Sequence, residues 1–279
     1  MSNISLKLSD EKILKIKNTF KEYIKPNPNE YIDTFIQKDG LTISIYKSKQ
    51  VVFQGEDALY YGSSFIDTKF VRQAGSDEVG TGDYFGPVVV CACILEENDK
   101  DIVDKYHITD SKKMDDDQIL KIGKELMNSV KHSLLILDNE TYNKVHETNN
   151  LNMIKAKMHN QAYLNLKAKG YVVPNAAYID DFCGESNYYE YLKDEKDIYH
   201  NLIFETKAES KYPAVAVASV ISRYAFLKKM EELSDKYDMF FHKGASTEVD
   251  LDAKEFVKKY GKDKLHLVAK VHFKNTNNI

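Results

Sequence analysis

The stretch that decides the fold is Gly75-Ser76-Asp77-Glu78-Val79-Gly80-Thr81-Gly82-Asp83-Tyr84-Phe85-Gly86-Pro87. Two adjacent carboxylates are followed by three glycines and then by the short apolar run 88–95, which holds Val88, Val89, Val90 and Ile94. That run reads as a strand buried on both faces. Asp77 and Glu78 then fall near the end of a preceding strand, and the glycines make a tight return. Glycine tolerates positive φ and lets a foreign backbone come close. Adjacent carboxylates at a strand end, beside a turn that admits a ligand, suit a divalent metal. The turn does not follow the common phosphate cradles. Gly-x-x-x-x-Gly-Lys-Ser/Thr is absent, and no Gly-x-Gly-x-x-Gly leads from a strand into a helix.

The 279 residues suffice for one large domain or two unequal ones, and 43% hydrophobic residues provide a real core. The net charge of −4 excludes a basic coat for nucleic acid, so any such contact comes from local patches or metals. Cys91, Cys93 and Cys183 make no metal spacing, and the first two fall in the apolar run as buried thiols, which fits a reducing compartment. The N-terminal residues lack a basic segment followed by an apolar one. No apolar run approaches the roughly 20 residues of a membrane helix. The expectation is a cytoplasmic, soluble protein without a membrane partner, and a monomer because no association motif is visible.

Residues 4–8 alternate as a short edge strand does. A helix is predicted from about Ser9, with Ile13, Ile16, Phe20 and Ile24 as its apolar stripe and Pro26 and Pro28 ending it. Residues 31–37 and 41–46 alternate with period two around Asp39-Gly40, a strong hairpin signal, and Val51-Val52-Phe53 reads as a third strand. Residues 1–66 hold nine lysines and eight acids, net +1, which leaves −5 for the rest. Residues 62–73 have no clear periodicity and are taken as a linker.

Beyond residue 70, strands alternate with helices, which argues α/β layering on a mixed sheet. A helix is expected over about 115–130, with Asp115, Asp116 and Asp117 in its first turn, where the helix dipole favours anions. Ser133–Leu137 reads as a strand, and a long helix follows over about 151–169, closed by Gly170. His159 on that helix reads as a packing or capping residue. Residues 176–179 form a short apolar strand that ends at Asp180-Asp181, and 201–204 form one more. Pro213 opens a run, 214–221, that is apolar on every side and hence a buried helix. Glu209 stands just before it, with helix capping as its ordinary alternative. A helix is expected around 253–260, and the terminal Asn-Thr-Asn-Asn segment is expected to fray.

Four acids stand out: Asp77, Glu78, Asp180 and Glu209. Each abuts a strand end or a buried helix start. Oxygen ligands without His or Cys favour a hard cation, Mg²⁺ or Mn²⁺. Carboxylate clusters of this kind support two metals about 3.5–4 Å apart, one activating water and the other stabilising the leaving oxygen. The expected reaction is phosphodiester hydrolysis.

The string 75–87 resembles the first motif of the type 2 ribonucleases H, and Gly80-Thr81-Gly82 is similar to the ribonuclease HIII version. Ribonuclease HII usually has arginine in the middle of that glycine motif. The resemblance runs from about residue 72 to the end. It includes Asp110-Ser111-Lys112-Lys113, Tyr178-Ile179-Asp180, Lys207-Ala208-Glu209-Ser210, the helix with Ala218-Ser219 and Ile221, and His272-Phe273-Lys274-Asn275-Thr276. It implies a ribonuclease H-like mixed sheet flanked by helices over 67–279. It also implies a small α+β, TATA-binding-protein-like domain over 1–66 that grips substrate. The matching positions of its Asp-Glu-Asp-Glu catalytic and metal-binding set are Asp77, Glu78, Asp180 and Glu209. Ribonuclease HII has aspartate at the last place. Asp77, at the centre of the motif, is the expected bridging ligand, and Asp181 is left out. The implied substrate is the RNA strand of an RNA/DNA hybrid, cut to 5′-phosphate and 3′-hydroxyl ends. Gly80, Thr81 and Gly82 are expected to offer backbone groups to ribose 2′-hydroxyls. Ser111 and Lys112, before a helix, are expected to hold a phosphate. The rivals are ribonuclease HII-like excision of single ribonucleotides from DNA and a non-catalytic hybrid-binding module. Four intact acids argue against the module, since a pure binder gains from removing negative charge near phosphate.

Overall fold

The computed structural model describes residues 2–63, 65, 70–108 and 114–279. It divides into two compact units, Met1–Lys69 and Phe70–Ile279.

The first unit runs β1 (Ser2–Lys7), α1 (Asp10–Thr19), β2 (Ile24–Lys25), β3 (Ile32–Lys38), β4 (Leu41–Tyr46), β5 (Gln50–Gly55) and α2 (Ala58–Ser63). The sheet is antiparallel in the order β1-β5-β4-β3-β2. Ser9 caps α1 by accepting from the Lys12 N–H. Ile13 and Ile16 face the buried Ile36, Ile43, Val51 and Phe53. Lys38 pairs with Leu41 across Asp39-Gly40, where Gly40 takes φ +73°, so the hairpin closes in two residues. The predicted first helix is too long. It stops at Thr19, and Ile24, expected on its apolar stripe, is 45% exposed and lies in β2, paired with Ile36 of β3. Lys25 precedes Pro26, whose ring disfavours helical backbone there. The helix α2 was not foreseen and enters the region read as a linker. Gly62 lets it approach β1, since a Cβ there would lie 2.1 Å from Ile4 Cγ2.

The second unit runs β6 (Gln73–Val79), β7 (Val88–Leu95), α3 (Lys100–Lys105), α4 (Asp116–Ser129), β8 (Lys131–Leu137), α5 (Asn139–His146), α6 (Leu151–Ala168), β9 (Ala177–Asp180), α7 (Glu185–Tyr191), β10 (Ile203–Glu205), α8 (Pro213–Tyr237) and α9 (Thr247–Tyr260). The sheet order is β10-β9-β6-β7-β8. Strands β6, β7 and β8 form an antiparallel meander, and β9 and β10 add in parallel. Every residue of β7 is buried. Its period-two alternation divides it between two cores. Cys91, Cys93 and Leu95 pack with α4 and α8, whereas Val90, Ala92 and Ile94 pack with α6. Gly75 is required for α8 to lie on β6: a Cβ there would come within 2.3 Å of Val215 N and 2.5 Å of Ala214 C.

The acidic run at α4 is a helix start. Asp115 and Gln118 make a reciprocal capping box, and Asp116 accepts from Arg223 at 2.7 Å. The buried helix α8 extends well past Ile221, and α9 begins earlier than expected, at Thr247. The C-terminal segment does not fray. Residues Lys274–Asn278 form a 3₁₀ turn, and the buried Asn275 side chain donates to Asp250 Oδ1 at 2.6 Å and to Ala245 O at 3.2 Å. Those bonds offset the ordering entropy of a polar tail. Among the described residues, no helix is long and apolar enough to cross a membrane.

Candidate active site

Parallel pairing aligns Gly75 with Tyr178 and Ser76 with Ile179, so Asp180 falls beside Asp77. Beyond β10, Lys207 adopts left-handed φ 54°, and the chain turns through a 3₁₀ segment, Ala208–Ser210. The Ala208 N–H donates to Asp180 Oδ1 at 2.9 Å, which ties this turn to the end of β9. The turn delivers Glu209, only 8% exposed, just ahead of α8, whose first turn carries Pro213. The structure thus gathers Asp77, Glu78, Asp180 and Glu209 around the C-terminal ends of β6 and β9. Open α/β sheets take ligands at such ends.

The two adjacent acids face opposite ways. Gly75 and Asp77 share the face covered by α8; Ser76 and Glu78 share the face covered by α6. On the α8 face, the Ser222 hydroxyl donates to Asp77 O at 3.0 Å. Burial, followed by the nearby Glu78 charge, pushes the Asp77 carboxyl up to about 8, with Glu209 adding to the rise; hydrogen bonds from Ser219 and the Glu78 N–H act against it. On the α6 face, Lys155 Nζ lies 2.5 Å from Glu78 Oε1, and His159 Nε2 lies 2.9 Å from Oε2. Burial raises the Glu78 carboxyl, but His159 and Lys155 together outweigh it and bring it down to about 2. His159 is fully buried and its Nδ1 bonds Ser76 Oγ at 2.8 Å, so it does more than the packing or capping expected of it. Among the described residues, no three His, Cys, Asp or Glu side chains are already arranged to hold a metal.

The glycine turn is anchored from its far side. Gly80 takes φ +88°, and a Cβ there would lie 2.1 Å from Pro87 O, whereas Gly82 is exposed and meets nothing within 4 Å. Lys270 is fully buried and donates through Nζ to Asp83 O at 2.8 Å and Gly86 O at 2.5 Å; its backbone N–H donates to Tyr84 O. Burial pulls its ammonium down to about 7. Asn139 also donates to Gly86 O, and Asp83 accepts from the Gly244 N–H. Ser111 and Lys112 lie outside the described residues. Asp181 caps a turn, accepting from the Gly184 N–H at 2.6 Å.

Lys155, Ser222, Asn139 and Lys270 escaped the sequence reading. A signal existed for the first: Lys155 and His159 stand four apart on one helix, and such residues share a face. Lys270 left none, because its partners are backbone carbonyls far away in sequence.

Residues 74–276 match the family described as Ribonuclease HII, and residues 3–74 match one described as Domain of unknown function (DUF3378). The chain is 36% identical to ribonuclease HIII of Bacillus mycoides (strain KBAB4), across 99% of this chain and 97% of that protein. It is also 36% identical to ribonuclease HIII of Lactococcus lactis subsp. cremoris (strain SK11), across 98% and 97%. The chain belongs to the ribonuclease HIII family. It is a type 2 ribonuclease H endonuclease. The crystal structure of Bst-RNase HIII in complex with Mn²⁺ superposes with a TM-score of 0.74 at 30% identity, covering 99% of this chain and 97% of that one. The ribonuclease H2 of Pyrococcus horikoshii OT3 shares the fold, with a TM-score of 0.63 over 74% of this chain. Ribonuclease HIII enzymes are metal-dependent.

Proposed function

We propose that this ribonuclease HIII hydrolyses the RNA strand of RNA/DNA hybrids, with Mg²⁺ or Mn²⁺ held by Asp77, Glu78, Asp180 and Glu209. The observation that carries the reading is the convergence of four acids at the C-terminal ends of β6 and β9, with the Asp77 carboxyl raised by burial and by the acids near it. The donor set fits a hard divalent cation: it is all oxygen, and its central carboxylate is costly to ionise until positive charge arrives. When bound, such cations supply an activated water and stabilise the leaving oxygen. The protein's part is positional. Ser219, Ser222 and the Glu78 N–H orient Asp77, the Ala208 N–H orients Asp180, and the 3₁₀ turn sets Glu209. The Gly80-Thr81-Gly82 turn, fixed below by Lys270, presents backbone groups to ribose 2′-hydroxyls, the feature that separates RNA from DNA. Ser111 and Lys112 hold a substrate phosphate. The N-terminal unit grips the hybrid, and the products carry 5′-phosphate and 3′-hydroxyl ends.

The test compares two labelled duplexes with Mg²⁺ or Mn²⁺: a full RNA/DNA hybrid and DNA with one embedded ribonucleotide. Cutting of the first with little of the second is the expected result. Efficient cutting of the second would overturn the substrate assignment in favour of single-ribonucleotide excision. Cleavage undiminished in Asp77→Asn would overturn the metal site.

A further inference from the structure

Glu78 has both carboxylate oxygens occupied by protein. Lys155 Nζ sits 2.5 Å from Oε1, and His159 Nε2 sits 2.9 Å from Oε2. Lys155 and His159 lie one turn apart on α6, which is why both reach one carboxylate. Neither is a surface group: Lys155 is 8% exposed and His159 is fully buried. The Lys155 ammonium also lies 3.8 Å from the centroid of the Phe182 ring, and His159 stacks on the same ring. A lysine carries a long stem and a compact charge, and it is costly to bury without a purpose. Here it stands where several acids meet.

We infer that Lys155 is a resident cation for Glu78. In the metal-free protein its ammonium holds the position at Oε1 that an incoming divalent cation has to take. The inference rests on the proposed role of Glu78 as a metal ligand. Lys155 neutralises Glu78 so that the acid cluster can fold without metal. His159, bonded to Ser76 through its other nitrogen, is a positioning residue that keeps Glu78 aimed while the cations exchange. The Phe182 ring gives the displaced ammonium a second partner, since an aromatic face attracts a cation. Metal occupancy at Glu78 is then a competition, and it is weakest where no substrate phosphate recruits the second charge.

A purely structural ion pair and a competing cation predict opposite signs. Removing a structural lysine disorders Glu78 and weakens metal binding; removing a competitor strengthens it. The experiment measures Mn²⁺ binding to the full chain without nucleic acid, by paramagnetic resonance of free Mn²⁺. The proteins are wild type, Lys155→Met, Glu78→Gln and the double variant. Lys155→Met is expected to bind Mn²⁺ about tenfold more tightly than wild type, with no such gain in the Glu78→Gln background, as a double-mutant cycle requires of coupled residues. Unchanged or weaker binding by Lys155→Met overturns the inference, and so does an equal gain in both backgrounds. If Lys155→Met does not fold, Lys155→Gln replaces it with the same expected sign, because it also removes the competing ammonium while keeping a polar side chain. The underlying reading fails separately: a Glu78→Gln affinity equal to wild type removes Glu78 from the metal site whatever Lys155 does.

Discussion

Asp77 and Glu78 are neighbours in sequence and opposites in setting. On the α8 side, burial, followed by the charges of Glu78 and Glu209, pushes the Asp77 carboxyl up to about 8 against the hydrogen bond from Ser219. The α6 side meets Glu78 with a lysine and a histidine and brings it down to about 2. Among the described residues, hydroxyl groups and acids meet one carboxylate, and a lysine and a histidine meet the other. The lesson is that a metal site need not be uniformly prepared for its cation. A carboxylate raised by burial and by neighbouring acids has most to gain from metal, while one held by a lysine and a histidine stays ordered without it.

The largest break in this contrast is Asp77→Asn. Cleavage of the hybrid is expected to fall by about a thousandfold or more, since the ligand is central to metal-assisted hydrolysis. Hybrid binding, followed by fluorescence anisotropy, stays within a few-fold of wild type. Activity close to wild type would move the chemistry off β6.

Next is the α6 side. Lys155→Met leaves Glu78 buried without the Lys155 ammonium, and breaking such a pair costs about 3 kcal/mol. Urea unfolding at pH 7 without metal reads this directly. A cost near zero would mean that Glu78 takes a proton or turns to solvent, and the contrast between the faces would collapse.

Lys270 is a buried lysine satisfied by carbonyls rather than by an acid, and it sharpens the comparison through pH. Its folded value, about 7, lies below its ordinary 10.5. Between these values the unfolded chain binds more protons than the folded one, so stability rises with pH. The penalty is full below about pH 7 and fades above it, with a slope approaching about 1.4 kcal/mol per pH unit. Wild type, compared with Lys270→Met by urea unfolding between about pH 7 and 8.5, is expected to gain relative stability, since the titration of cysteines in the unfolded chain is common to both and cancels in the difference. A flat difference would show that the carbonyls of Asp83 and Gly86 fully replace water around the ammonium.

The smallest effect belongs to Ser222→Ala. It removes one buried hydroxyl donor to Asp77 O and is expected to cost about 1 kcal/mol. The Asp77 side chain keeps its other partners, so kcat should drop by less than about tenfold. A larger loss would make α8 a stronger determinant of Asp77 geometry than the strand itself.

Much of the architecture could be read in advance. The buried strand β7, the hairpin at Asp39-Gly40, the long helix α6 and the buried start of α8 follow from period, turn chemistry and apolar runs. The errors have physical causes. The first helix was extended to Pro26 because Ile24 fits its stripe, yet pairing with β3 and the proline that follows Lys25 favour extended backbone there. The short helices α2, α5 and α7 lack the repeated turns that make periodicity visible. The tail was expected to fray because it is polar, but Asp250 satisfies Asn275 and Asn278 at long range. At the site, the four acids were visible as residues abutting element ends. Their cationic and hydroxyl partners were not, since Lys155, His159 and Ser222 belong to elements that only packing brings near β6.

By itself the sequence determined that acids stand at strand ends, that a glycine turn follows the first pair, and that the chain resembles ribonuclease HIII. Local rules suffice for this: strands alternate, glycine admits positive φ, and oxygen ligands select hard cations. The tertiary structure alone decided which acid faces which helix and what each meets there. Alternation along β6 sends Asp77 and Glu78 to opposite faces, but α8 and α6 come from distant parts of the chain. Their docking brings hydroxyl groups and Glu209 toward one carboxylate and a lysine and a histidine to the other.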